Sequence, residues 1–97
     1  MRAKPITFLI VDDDDVDRQA IERALLDIKI SNPTLHAKDG VDALEKLRGE
    51  NGQDKLERPL MILLDLNMPR LGGLGFLEEL SKDAALKDIK TIVLTEL

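Results

Sequence analysis

Cysteine, tryptophan and tyrosine are absent from the 97 residues, and each absence closes a route. Without cysteine there is neither a disulfide framework nor a thiolate metal site. Phe8 and Phe76 are the two aromatic residues, so no platform exists on which nucleobases could stack. Positive charge is in deficit: 14 Lys and Arg stand against 19 Asp and Glu, a net charge of −5. A general nucleic-acid binder shows a basic stripe, and none is present, so no nucleic-acid partner is expected. No apolar run approaches the length needed to cross a bilayer, and no membrane partner is expected either. The opening MRAKPITFLIV has the basic start of a signal peptide, but its apolar run ends in acids with no small-residue cleavage site. A reducing, cytoplasmic setting is the expectation, and the length fits one domain with a modest core.

Three short segments are apolar almost throughout: residues 6–11, 60–66 and 91–95. Strands buried on both faces of a parallel sheet have this composition. Between the first two lie helical patterns. Ile21, Ala24, Leu25 and Ile28 recur at i, i+3, i+4 and i+7, predicting a helix over about 16–29. Val41, Leu44 and Leu47 predict a shorter helix ending near Gly49. Asn32-Pro33-Thr34 and the Asp39-Gly40 turn bracket a short strand at 35–37. Leu74, Leu77 and Leu80 predict a third helix face, and the loop 50–59 is polar and solvated. The order β-α-β-α-β-α-β predicts an α/β fold, a doubly wound parallel sheet with right-handed crossovers. Such sheets bind ligands beyond the carboxyl ends of their strands.

The first strand ends in a knot of acids, FLIVDDDDVD, and Asp65 lies at the end of the third strand. If those two strands are neighbours, Asp12, Asp13 and Asp65 converge on one crevice. Carboxylates that close repel one another unless a cation sits among them. Hard oxygen ligands suit Mg²⁺, with Mn²⁺ as the second choice. A carboxylate beside such a metal could itself be a phosphoryl nucleophile. The bland reading is a solvated helix start, and it suffices for Asp14, Asp15 and Asp17. It fits Asp65 less well, because a carboxylate in so apolar a strand is costly unless paired or liganded.

FLIVDDD, KDGVDALEKL, LLDLNMPRLGG and TIVLT, in that order along the chain, resemble the receiver domain of bacterial two-component response regulators. The single-domain chemotaxis-like and phytochrome-associated types are the nearest in kind. The stretch Asp65, Met68, Pro69, Gly73 is the most specific part. The resemblance implies a flavodoxin-like sheet of strand order 2-1-3-4. It implies a phosphoacceptor at Asp65 and a metal held by Asp12, Asp13, Asp65 and the backbone carbonyl of Asn67. Thr95 takes the role of switch hydroxyl, and Pro69 and Gly73 shape the loop after the acceptor. The implied partner is a sensor histidine kinase or phosphotransfer protein. The implied role is that of a signalling phosphoacceptor rather than a turnover enzyme. His36 is read as an ordinary strand or surface residue.

In the family the domain continues past Leu97 with a helix, a fifth strand ending in a lysine, and a final helix. The expectation is therefore a receiver over 1–97 that is incomplete at its C-terminus, without the fifth strand, its flanking helices or the catalytic lysine. The unpaired sheet edge would invite a homodimer or strand exchange. Glu96 stands where the family carries a small residue, and its charge would crowd an incoming phosphoryl group. Two other readings stay open. One is a degenerate or truncated receiver that binds partners without being phosphorylated. The other rests on Asp12-x-Asp14-x-Val16, which satisfies the short D-x-D-x-[TV] pattern of haloacid-dehalogenase-like phosphatases. There Asp12 would be the nucleophile and Asp14 the general acid.

Overall fold

The computed structural model describes residues 5–66 and 72–94. Four strands and three helices alternate: β1 (Thr7–Val11), α1 (Asp15–Asp27), β2 (Thr34–Ala37), α2 (Gly40–Arg48), β3 (Leu60–Asp65), α3 (Gly73–Lys82) and β4 (Lys90–Leu94). All pairings are parallel, and the strand order is β2-β1-β3-β4, as the sequence predicts. The topology brings the ends of β1 and β3 together at the centre of the sheet.

Side chains alternate across each strand, and the two faces are covered differently. On one face Leu9 and Val11 of β1 and Ile62 and Leu64 of β3 meet Ala43, Leu44 and Leu47 of α2 and Phe76 and Leu80 of α3. This is the main core. On the other face Phe8, Ile10 and Leu63 are buried, and α1 lies over it. The Glu22 carboxylate of α1 accepts from Thr34 Oγ1 at 3.3 Å and pairs with His36 Nε2 on β2. His36 is thus a half-exposed surface residue with a structural partner.

Two helix faces differ from the sequence expectation. In α3 the buried residues are Gly73, Phe76 and Leu80, with Leu77 packed beside them. Leu74 points outward at 72% exposure. Gly73, Phe76 and Leu80 sit at i, i+3 and i+7, a better fit to 3.6 residues per turn than the strict three-residue spacing of the leucines. In α1 no residue is fully buried, and Ile28, at 67% exposure, is already the C-cap. The apolar stripe of α1 is real, but its layer offers little to bury it against among the described residues. The loop 50–59 is less solvated than expected, because Leu56 packs against the core and its N–H donates to the Lys46 carbonyl at 3.1 Å.

Helix caps set the boundaries. Asp14 caps α1, its carboxylate accepting from the N–H groups of Val16 and Asp17. Asp15 and Asp17 occupy the first turn, where negative charge complements the helix dipole. Asp39 caps α2 by accepting from Asp42 N–H at 2.8 Å. Gly49 ends α2 at φ +71°, the left-handed conformation in which glycine carries no Cβ penalty.

Candidate metal centre

Register positions the acids. Val11 stands beside Leu64 of β3 and Ala37 of β2, so Asp12, Asp13 and Asp65 emerge together at the carboxyl edge of the sheet. One ligand oxygen from each of the three can be chosen so that all lie within 4.8 Å of one another. The sheet hydrogen bonding runs one step further, with Asp12 N–H donating to the Ala37 carbonyl at 3.0 Å. Asp12 is therefore held as an extension of β1, and at 4% exposure it is buried. Asp13 is exposed and Asp65 half-buried.

The electrostatics agree with the geometry. Burial pushes the Asp12 carboxyl above the usual carboxylate range. The Asp14 N–H, donating to Asp12 Oδ1 at 2.9 Å, pulls it down, while the charges of Asp65, Asp17 and Asp13 add to the upward shift. Desolvation and like charge both disfavour the ionised form, so the fold holds a destabilised anion at this edge. A divalent cation would relieve both effects, and an all-oxygen donor set suits a hard one. The residues present fit such a metal.

Asp14 is committed to its cap, with Oδ1 at 2.8 Å from Val16 N and 3.4 Å from Asp17 N. That occupies the side chain that the dehalogenase-like reading makes a general acid. Asn67, Pro69 and Thr95, with Met68 and Glu96, lie outside the described residues. Gly73, expected as a loop-shaping residue, opens α3 and is required there for space. A Cβ on it would meet Leu66 Cα at 2.6 Å and the Asp65 carbonyl oxygen at 2.9 Å. Its N–H donates to the Leu66 carbonyl at 3.2 Å. The start of α3 is thus pressed against the backbone of the candidate acceptor.

Sequence reading missed Arg18. Its Nη1 donates to the Asp12 carbonyl oxygen at 3.0 Å and its Nη2 pairs with Asp15. The signal was present as an Asp–Arg pair three residues apart on a helix.

Comparison with known proteins decides the family. The family pattern for the response regulator receiver domain matches residues 8–97. The chain belongs to the response regulator receiver family. Among curated relatives, response regulator Rcp1 of Synechocystis sp. is 32% identical over 91 residues, covering 94% of this chain and 62% of that protein. Among solved structures, the bacteriophytochrome response regulator AtBRR superposes with a TM-score of 0.89 at 27% identity, over 98% of this chain and 69% of that one. The Mn²⁺-bound form of Rcp1 gives a TM-score of 0.83 at 32% identity, over 94% and 66%. The receiver chain thus spans rather less than two thirds of the length of Rcp1. Its flavodoxin-like sheet is that of a receiver, and the cluster of Asp12, Asp13 and Asp65 fits a divalent-metal site. Nothing in the comparisons supports the dehalogenase-like phosphatase. Among the described residues no helix is long and apolar enough to cross a membrane.

Proposed function

We propose that this receiver accepts a phosphoryl group on Asp65 from a phosphohistidine of a sensor histidine kinase or phosphotransfer protein, with Mg²⁺ held by Asp12, Asp13, Asp65 and the Asn67 carbonyl. The observation that carries this reading is the convergence of three carboxylates from the ends of two adjacent strands. The Mn²⁺-bound state of Rcp1 supports a divalent ion of this size in a related fold.

Each residue has a distinct part. Asp65, at the centre of the sheet edge, presents a carboxylate oxygen to phosphorus. The new O–P bond forms as the P–N bond to imidazole breaks, the electron pair stays on the ring nitrogen, and that nitrogen takes up a proton. The product is an acyl phosphate. Asp12 and Asp13 flank the acceptor and are anchored to β1, so they do not have to be reorganised for transfer. A bound Mg²⁺ would supply charge neutralisation for the transferring oxygens. Thr95, at the end of β4's sequence segment, is the hydroxyl proposed to bind the phosphoryl group afterwards. Gly73 lets α3 start close against Asp65 and Leu66, and Pro69 is proposed, on the resemblance alone, to shape the loop after the acceptor.

Intact mass after incubation with acetyl phosphate and Mg²⁺ tests this. One phosphoryl adduct is expected, absent when the metal is chelated before acetyl phosphate is added and absent in Asp65→Asn. A folded chain that takes no adduct would overturn the phosphoacceptor reading and favour a phosphorylation-independent interaction module. An adduct that persists in Asp65→Asn would move the acceptor elsewhere.

A further inference from the structure

Arg18 lies in the first turns of α1, and its backbone N–H bonds to the Asp14 carbonyl at 3.0 Å. Its side chain turns back across the β1–α1 connection. Nη1 donates to the Asp12 carbonyl oxygen at 3.0 Å, while Nη2 pairs with Asp15 Oδ1. The Arg18 side chain is 17% exposed, whereas that of Asp15 is 76% exposed. A solvated ion pair would leave both ends open, so the buried end of this pair is serving the backbone.

The carbonyl held by Arg18 belongs to the planar peptide unit joining Asp12 to Asp13. Its direction and the positions of the two Cα atoms cannot change independently. On its other side Asp12 is fixed by its N–H bond to Ala37 and by Asp14 N–H on its own Oδ1. Arg18 adds a further restraint through the carbonyl oxygen of Asp12. We propose that Arg18 is a positioning residue of the metal centre: its forked guanidinium fixes the Asp12–Asp13 peptide and so sets the spacing of the two carboxylates toward a divalent cation. This rests on the metal reading of the acid cluster.

Two effects of Arg18 oppose one another in sign, which makes the inference testable. Its positive charge repels a cation, so deleting the charge alone would tighten metal binding. Losing its grip on the peptide would loosen binding, because outer-shell partners of metal ligands typically govern a tenfold to hundredfold range of affinity. Mn²⁺ binding to the full chain, read from the electron paramagnetic resonance signal of the free aquo ion, separates the two. Arg18→Met is expected to bind Mn²⁺ about tenfold more weakly than the parent. Arg18→Lys is expected to lie between, since an ammonium can reach one acceptor but lacks the fork. Circular dichroism melts on the same samples establish that each variant is folded. Arg18→Lys, the gentler change, carries the test if Arg18→Met does not fold. A folded variant that binds Mn²⁺ as tightly as the parent, or more tightly, overturns the positioning role while leaving the metal reading intact. Failure of the parent to bind Mn²⁺ overturns the metal reading and this inference with it.

Discussion

An Asp12→Asn variant is expected to melt above the parent chain in the absence of metal, and to lose roughly tenfold or more of its divalent-cation affinity. The gain and the loss have one cause. Asp12 is a buried carboxylate among the charges of Asp13, Asp17 and Asp65. Asparagine keeps an oxygen to accept from Asp14 N–H. It replaces the repelling oxygen with an N–H₂ group that donates toward the neighbouring carboxylates. A hydrogen bond to a charged group is worth on the order of 1–3 kcal/mol, and each kcal/mol moves the midpoint of a domain this size by about 4–8 °C. The pH dependence has a definite sign. The Asp12 carboxyl is raised above its ordinary value of 3.8, so the folded state binds the proton more tightly than the unfolded one. Its contribution to stability is fully present below that value and is lost as pH rises through the folded-state pKa. Parent and variant should therefore differ most near neutrality and converge in acid. Thermal melts with and without Mg²⁺ between acid and neutral pH check this. A metal-free variant melting below the parent at neutral pH would show that the cluster carries no stored repulsion.

Gly73→Ala is expected to cost about 1–3 kcal/mol, the usual range for overpacking a well-filled interior, and to weaken metal binding as well. The added Cβ has no room: it would stand 2.6 Å from Leu66 Cα and 2.8 Å from Leu66 Cδ2, with the Asp65 carbonyl at 2.9 Å. Two of these are backbone atoms, so the strain is relieved only if α3 lifts from β3 or the end of β3 shifts. Either movement displaces Asp65 relative to Asp12. Urea unfolding and a Mn²⁺ titration on the same variant check both parts. A surface glycine such as Gly52, with no atom near its would-be Cβ, is the control for composition, although its φ of +79° makes alanine there strained for a different reason. Unchanged stability and affinity in Gly73→Ala would mean that the contact between α3 and the acceptor strand yields freely.

The parts of this architecture that were legible in the sequence are those fixed by local pattern. β1 and β3 are continuous apolar runs between polar segments, and burial on both faces of a parallel sheet leaves few alternatives for such runs. The convergence of Asp12 and Asp13 with Asp65 was conditional on the first and third strands being neighbours, which the receiver resemblance implied through the order 2-1-3-4 and which a doubly wound sheet alone does not require. Tertiary context decided the rest. The leucine spacing of α3 pointed to Leu74, yet Phe76 and Leu80 are the large residues buried in the core, because the positions 73, 76 and 80 follow the 3.6-residue period more closely than a strict spacing of three. The stripe on α1 was read correctly as amphipathic, but a stripe does not report how much surface faces it. Gly73 looked like a turn glycine, and its need for space could be found only once α3 was seen against Leu66. Arg18 was half legible: its spacing from Asp15 signalled the ion pair, while its bond to the Asp12 carbonyl leaves no trace in side-chain patterns. Asn67, Pro69 and Thr95 remain assigned by resemblance.

The most direct test of the metal centre is residue-resolved paramagnetic broadening. A ¹⁵N-labelled chain titrated with substoichiometric Mn²⁺ should lose amide signals first at Asp12, Asp13 and Asp14, at Asp65 and Leu66, and at Lys38 beside them. The same titration of Asp12→Asn should need roughly tenfold or more Mn²⁺ to broaden them. Broadening that begins instead at the exposed acids Asp27, Glu50 or Asp88, or that spreads evenly over the acidic surface, would contradict the account.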